Sequence, residues 1–378
     1  MKIRILILFT VFLFLSAGVS SAVDINIQTG GSFDWWKDNK DLKGFQVYVP
    51  LTIEAQHKTL SLGVLTGYTY TNFKASGQDS QFLSTILDTK VNLSYGLLGK
   101  LPVDILFGLD LNIPTGKTDL KQEDLVLIMD PDLVTINTFG EGFNVNPTLS
   151  ISKEIRNLVI GAGVGYLWRG KYDFSTDIGM KDYDPGDMLN ANAEVRYYFS
   201  DNLYTRVFGG YVWFTKNDKV ESEDFYQEGN LSLAGIGLNY AKPKWDTGLT
   251  VRGIFRGKSK FINTGGWLST EEENSHGIEW MGDLYFRYFI DKKTALKACL
   301  QGLRIEKNGY PVGSSYYIGQ RRKLSLGLGG SKALSKVLKV ELDVKGFLMH
   351  DDEARFPEFR SARDYKGFSA MLMLKASL

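Results

Sequence analysis

Apolar and polar residues alternate one by one through most of this sequence, over runs longer than the strands of ordinary globular proteins reach. In GFQVYVPLTIEA one parity holds Phe45, Val47, Val49, Leu51, Ile53 and Ala55, and the other holds Gln46, Tyr48, Pro50, Thr52 and Glu54. MLNANAEVRYYF sets Leu189, Ala191, Ala193, Val195, Tyr197 and Phe199 against Asn190, Asn192, Glu194, Arg196 and Tyr198. LKVELDVKGFL sets Leu338, Val340, Leu342, Val344 and Leu348 against Lys339, Glu341, Asp343 and Lys345, and FSAMLMLKASL carries the pattern to the last residue. A period of two belongs to β-strands, whose successive side chains point to opposite faces. A sandwich or a propeller also alternates, but its interior could not hold this many unpaired charges, whereas a water-filled lumen can.

The connections between these runs alternate between short and long. Residues 56–59, 99–102, 156–157, 200–202, 242–244, 291–293 and 335–336 are brief, while 75–81, 117–142, 175–185, 220–228, 260–275, 310–320 and 350–366 are extended, with 38–43 intermediate. Short turns on one rim and long loops on the other characterise transmembrane barrels. Rings crowd the strand ends, at Trp35-Trp36, Tyr68, Tyr70, Trp168, Tyr211 to Phe214 and Tyr285 to Phe289, where amphipathic aromatics suit the headgroup layer. The pattern predicts an all-β fold: a transmembrane antiparallel up-and-down β-barrel of about 16 strands, within a range of roughly 14 to 18, with short periplasmic turns and long outer loops.

Residues 1–22, MKIRILILFTVFLFLSAGVSSA, read as a cleaved secretory signal peptide: cations at Lys2 and Arg4, an apolar stretch too short to span a bilayer, then small residues closing on Ala22. Residues 23–378 would then form a single barrel domain in the outer membrane of a Gram-negative-type bacterium. The only cysteine, Cys299, excludes an internal disulfide, and a formal net charge of +1 gives nucleic acid no attraction. The partners expected on these grounds are outer-membrane lipid, small-molecule solutes and, during insertion, the barrel assembly machinery. The chain would act as a monomer or a homo-trimer, without a cofactor. Its ending, Ala376-Ser377-Leu378, lacks the terminal aromatic that such machinery typically reads and puts Leu378 in its place.

The lumen-facing parity divides by charge. Early strands offer an acidic wall of Asp24, Asp34, Glu54, Asp88, Asp104 and Asp110, with Lys90 the main opposing charge. Middle strands offer a basic wall of Arg169, Arg196, Arg206, Arg252, Arg256, Arg287 and Arg304, with Glu194, Glu279 and Asp283 among them. Two readings stay open: a transverse field across the lumen that sorts solutes by charge, or ladders of salt bridges between neighbours that stiffen the wall.

Between the fifth and sixth strands lies KTDLKQEDLVLIMDPDLVTINTFGEGFN, Lys117 to Asn144. Its apolar content argues against disorder, and its LVLIM run should not stand in open water as one patch. It is expected to fold into the lumen or across the mouth and to narrow the passage, with Glu123, Asp124, Leu127, Asp130 and Asp132 at the constriction and the arginines of the middle strands facing it. The alternative is a hairpin standing above the membrane on an Asp130-Pro131-Asp132 turn. Histidine, the usual catalytic base, occurs only at His57, His276 and His350, in no spacing that marks a triad or a zinc site, so the chain is read as not an enzyme.

FGLDLNIPTGKT, Phe107 to Thr118, ends a strand in a Pro-Thr-Gly corner, and after the acidic loop GFNVNPTLSISKEI opens the next strand with a glycine and a proline. This arrangement resembles the MetA-pathway-of-phenol-degradation family of outer-membrane transporters and, more distantly, fatty-acid-transporter-like barrels; general porins share the strand count and the place of the long loop. The resemblance implies passive uptake of small apolar or aromatic compounds and supplies no catalytic residue. The expected function is an outer-membrane channel for passive or facilitated diffusion of small solutes. Gated uptake of hydrophobic or aromatic compounds is the alternative, and an outer-membrane enzyme acting on lipid or peptide is the alternative of another class.

Overall fold

The computed structural model describes residues 23–378, so the signal peptide expected at 1–22 lies outside the described residues. The barrel strands are β1 (Asp24–Asp38), β2 (Lys43–His57), β3 (Leu60–Lys74), β4 in two segments (Gln81–Ile86 and Thr89–Leu97), β5 (Asp104–Ile113), β6 (Asn144–Ile155), β7 (Leu158–Arg169) and β8 (Met188–Ser200). They continue with β9 (Leu203–Phe214), β10 (Leu231–Lys242), β11 (Trp245–Arg256), β12 (Glu279–Phe289), β13 (Thr294–Ile305), β14 (Arg321–Ala333), β15 (Leu338–Asp351) and β16 (Arg363–Ser377). Each pairs antiparallel with its neighbours in sequence, and β16 returns to β1 from Asp38↔Tyr365 to Asn26↔Ser377, closing the ring. With the two β4 segments counted as one, the described residues form a sixteen-stranded barrel. Closure leaves no unpaired edge, which is what lets a sheet stand in hydrocarbon.

Which parity faces which medium is decided by exposure. On β14 Leu324, Leu326 and Leu328 are 56%, 61% and 65% exposed, whereas Ser325 between them is 3% exposed. The leucines therefore face outward and Lys323, Ser325 and Gly327 face the lumen. The same alternation puts Leu342, Val344 and Leu348 of β15 outside, and Glu341, Phe347 and Met349 inside.

β4 is interrupted at Leu87-Asp88. Its first segment pairs with the upper half of β3 and its second with the lower half of β3 and with β5. The kink turns the Asp88 carboxylate into the lumen side, where it accepts a hydrogen bond from Asn112 of β5. Above the barrel, Asp218–Val220, Glu223–Gln227, Lys260–Ile262 and Leu268–Thr270 form a separate four-stranded sheet, giving structure to two stretches that read as plain loops in the sequence. No helix among the described residues is long and apolar enough to cross a membrane.

Most of the buried apolar side chains gather in two clusters, and both contain the segment between β5 and β6. One joins its Met129, Leu133 and Val134 to Trp36, Phe347, Met349 and Tyr365; the other joins its Leu120, Leu127 and Phe139 to Leu83.

Candidate functional site

The segment between β5 and β6 lies against the inner wall. It contains a 3₁₀ helix, Gln122–Leu127, and makes no hairpin above the membrane. Its position follows from where its backbone finds partners, since a buried N–H or C=O left unpaired costs about 1–3 kcal/mol.

The early strands hold one side. Asp88 accepts the Gly116 N–H at 2.8 Å and the Glu141 N–H at 2.7 Å, so one carboxylate clamps both stems of the segment. A Cβ on Gly116 would run into the Phe139 carbonyl, so the close approach of the two stems requires glycine there. Gln46, fully buried on β2, accepts the Ile136 N–H and donates to the Ile136 carbonyl, both at 2.7 Å, imitating a strand neighbour. Asp34 of β1 accepts the Thr135 N–H at 2.9 Å.

The late strands hold the other side. The Arg321 guanidinium of β14 lies 2.6 Å from Asp130 and 2.8 Å from Asp132, and it also pairs with Asp351 of β15 at 2.7 Å. Lys323 donates to the Asp132 carbonyl and sits over the Phe347 ring. Leu127, wholly buried, seals the segment against Leu83, while Val126 and Ile128 stay exposed, turned away from the wall.

Several expectations are corrected here. The arginines facing the segment's acids are not those of the middle strands: Asp130 and Asp132 bind Arg321, a residue not singled out in the sequence. Asp124 does not line a passage; it pairs with Lys117 at 2.6 Å and accepts the Lys121 N–H, closing the 3₁₀ turn. Glu123 is exposed, 3.9 Å from Lys121. Asp104, on the parity of Asp110 at the opposite end of β5 from the segment, accepts the Gly99 N–H across a short turn. Arg304 is not in the lumen. It is register-paired with Trp280 on one side and Arg322 on the other, on the outward parity near the long-loop rim. Charge at a strand end does not report the lumen, because the headgroup layer also accommodates it.

Of the remaining acids, Glu54 and Asp110 line a recess of about 690 Å³ together with Lys90, Asn92 and Asn146. Asp110 accepts from both Asn92 and Asn146. A second recess, of about 720 Å³, lies under Thr135 between Tyr48, Arg287, Lys297, Lys345, Met371 and Met373.

The other arginines close mostly on neighbours. Arg196 and Arg206 share Glu194 at 2.7 and 3.5 Å, Arg287 lies 2.6 Å from Asp246, and Arg256 sits between Glu228 at 2.6 Å and Glu279 at 3.4 Å. Arg252 donates to the Met281 sulfur at 3.2 Å. Arg169 belongs to the rim: its Nε donates to the Gly186 carbonyl and its Nη2 lies 3.8 Å from Asp218.

That rim carries an outer layer of loops tied to the inner segment. Leu120 N–H donates to the Phe174 carbonyl, and Asp119 accepts from both the backbone and the hydroxyl of Thr176, which holds its carboxyl below the usual range. Tyr172, Phe174, Phe225 and Tyr226 surround or extend from Tyr183 in edge-on and tilted ring contacts. Burial, helped by the charge of Glu141, pushes the Tyr172 phenol up to about 12, and burial with Asp218 alongside raises Tyr183 further. Asp187, buried at the layer's base, stays below the usual carboxylate range although burial opposes this, because Lys216, the Tyr166 hydroxyl and the Arg169 N–H all favour its charge.

The model of the family described as MetA-pathway of phenol degradation matches residues 15–270. No curated protein matches the chain. Among solved structures it is similar to the toluene transporter TodX of P. putida, at 11% identity over 95% of this chain and 91% of that one, with a TM-score of 0.42. It is likewise similar to the CymD monoaromatic hydrocarbon channel, at 10% identity, 95% and 89% coverage and a TM-score of 0.44. OmpT, an outer membrane protein of Vibrio cholerae, gives 13% identity, 95% and 99% coverage and a TM-score of 0.44.

Proposed function

The chain belongs to the MetA-pathway of phenol degradation family, and from that premise we propose that it is an outer-membrane channel for diffusion of small solutes, narrowed from within by the segment between β5 and β6. The observation that carries this reading is the anchoring of that segment on both sides. Asp34, Gln46 and Asp88 hold its backbone to the early strands, and Arg321 with Lys323 hold it to β14. A segment fixed at both walls narrows the lumen without swinging, so size selection would be built in. A closed barrel with an apolar outside and a polar inside supports placement in an outer membrane.

A second reading, uptake of apolar or aromatic compounds, draws on the recess under Thr135. Tyr48, Pro50, Met371 and Met373 give one side of it an apolar lining, next to the cations of Arg287, Lys297 and Lys345. A flat apolar molecule with one polar group suits such a wall. Monoaromatic permeation is what the CymD channel is named for, and the family description points the same way.

Conductance of the purified barrel in planar bilayers tests both. Stable open steps are expected, and deleting residues 122–137 should enlarge them. Steps of unchanged size after the deletion would refute the constriction, and absence of steps from both proteins would refute the water-filled channel. Liposome uptake of a monoaromatic solute against a sugar of similar size separates the two readings: preference for the aromatic supports the second.

A further inference from the structure

At the long-loop ends of β16, β1, β2 and β3, four lysines stand in direct cross-strand register: Lys366↔Lys37, Lys37↔Lys43 and Lys43↔Lys74. All four lie on the outward parity. Two residues below each on its own strand are Phe368, Trp35, Phe45 and Asn72, themselves in register, and the rings of Trp35 and Phe368 are 5.8 Å apart. Further down, outward leucines such as Leu372 and Leu374 are exposed. The outer surface therefore passes from leucine to aromatic to lysine over one short stretch, which is the order of hydrocarbon, interface and headgroup.

Like charges directly opposite on neighbouring strands destabilise a sheet. Neighbouring strands are about 4.8 Å apart, so the four ammonium groups fall along a line of roughly 14 Å. Among the described residues none of these lysines is ion-paired to an acid. The adjoining outward rim differs. There Arg322 donates to Gln320, and His350 is bonded to Asp364 and Asp352, so these two groups have protein partners. The lysine row lacks an anion of its own and sits at the depth where lipid phosphates lie.

We propose that Lys366, Lys37, Lys43 and Lys74 form a binding site for the phosphate groups of an outer-leaflet lipid, whose acyl chains lie down the Phe368, Trp35 and Phe45 face. The site depends on the barrel standing in a membrane, and not on what passes through it. Lysine suits this task as a compact, mobile charge that reaches phosphate without a fixed fork geometry. Row charge and phosphate charge attract over about a Debye length, so binding weakens as salt rises.

Native mass spectrometry of the full barrel in neutral detergent, titrated with phosphorylated lipid A, tests this. The wild type should retain the lipid, and the K37Q/K43Q/K366Q variant should bind at least tenfold more weakly while still showing heat-modifiable migration. Dephosphorylated lipid A should bind the wild type as weakly as the variant does, and excess inorganic phosphate should not displace the intact lipid. Equal binding by wild type and variant, or by the two lipids, would overturn the site; displacement by inorganic phosphate would show a free-anion site in place of a lipid one. If the triple variant does not assemble, the K37R/K43R/K366R protein and a salt series decide. Retained binding that falls with salt supports the row, and wild-type binding indifferent to salt refutes it.

Discussion

Two stretches of the inner wall both carry charge and use it in different ways. On β1 to β4 the carboxylates and Gln46 turn inward onto the backbone of a foreign segment; on β8 to β12 the arginines turn sideways onto Glu194, Asp246 and Glu279 of their own or adjacent strands. A segment folded into a barrel brings unpaired N–H groups with it, and acceptors on the wall are what make that fold tolerable. Arginines have no such debt to meet, so they settle on the nearest acid. Residues of like position are thus divided into those that grip and those that brace.

The largest effect is expected from Arg321→Ala. It leaves Asp130, Asp132 and Asp351 facing one another without their cation, and removing one partner of a largely buried charge cluster costs about 3–5 kcal/mol. Hydrogen exchange through residues 116–142 should accelerate strongly and open-channel noise should grow; protection equal to wild type would show that the early strands suffice. Next comes Asp88→Asn, which keeps the shape but turns an amide on donors that need an acceptor, at about 1–3 kcal/mol. Here exchange should rise at the stems, near Gly116 and Glu141, and little at Asp130.

Alkali should separate the outer layer from the inner segment. Tyr172 titrates higher in the folded layer than in an unfolded chain, so the stability it contributes is whole below about pH 10 and is lost as pH rises through about 12, and Tyr183, raised further, loses its share at still higher pH. Tyrosinate absorbance and loop proteolysis should rise together in that window while conductance holds. Conductance that climbs with them would mean the layer, and not the wall, keeps the segment in place. The smallest effect is expected from Arg256→Gln. It gives up partly exposed pairings worth about 0.2–1 kcal/mol and should barely move ion selectivity, whereas Arg252→Gln, with a sulfur in place of a carboxylate beside it, should move it more. Equal reversal-potential shifts in the two variants would restore the transverse field as the role of these arginines.

The barrel was legible because lipid and water impose a binary choice on every second residue, and because turn lengths repeat around the ring. The grip was not. Gln46 and Ile136 are ninety residues apart in sequence and meet only through closure. Arg321 is hidden in Arg321-Arg322-Lys323, where residue type is the same on both parities; counting back from Leu324, Leu326 and Leu328 would have placed Arg321 and Lys323 inside and Arg322 outside. The same counting along β13, from Leu296 and Leu300, puts Arg304 outside. Asp88 holds both stems of the segment, yet the kink that lets it do so has no mark in QFLSTILDTK.

The first and last strands meet side by side, and the inner segment lies across their junction. Trp36 belongs to one partner, Tyr365 to the other, and Met129, Leu133 and Val134 touch this same cluster from the lumen side. A cylinder sewn from a single ribbon is weakest at its seam, where only one ladder joins the ends of the chain. Here the seam is backed by a patch whose two stems are fastened early, at Asp88, and whose middle is fastened late, at Arg321. The second fastening needs Arg321 of β14, and the packing of Met129, Leu133 and Val134 against Trp36 and Tyr365 needs both strands of the seam, so the patch ties the first strand to the last ones from inside.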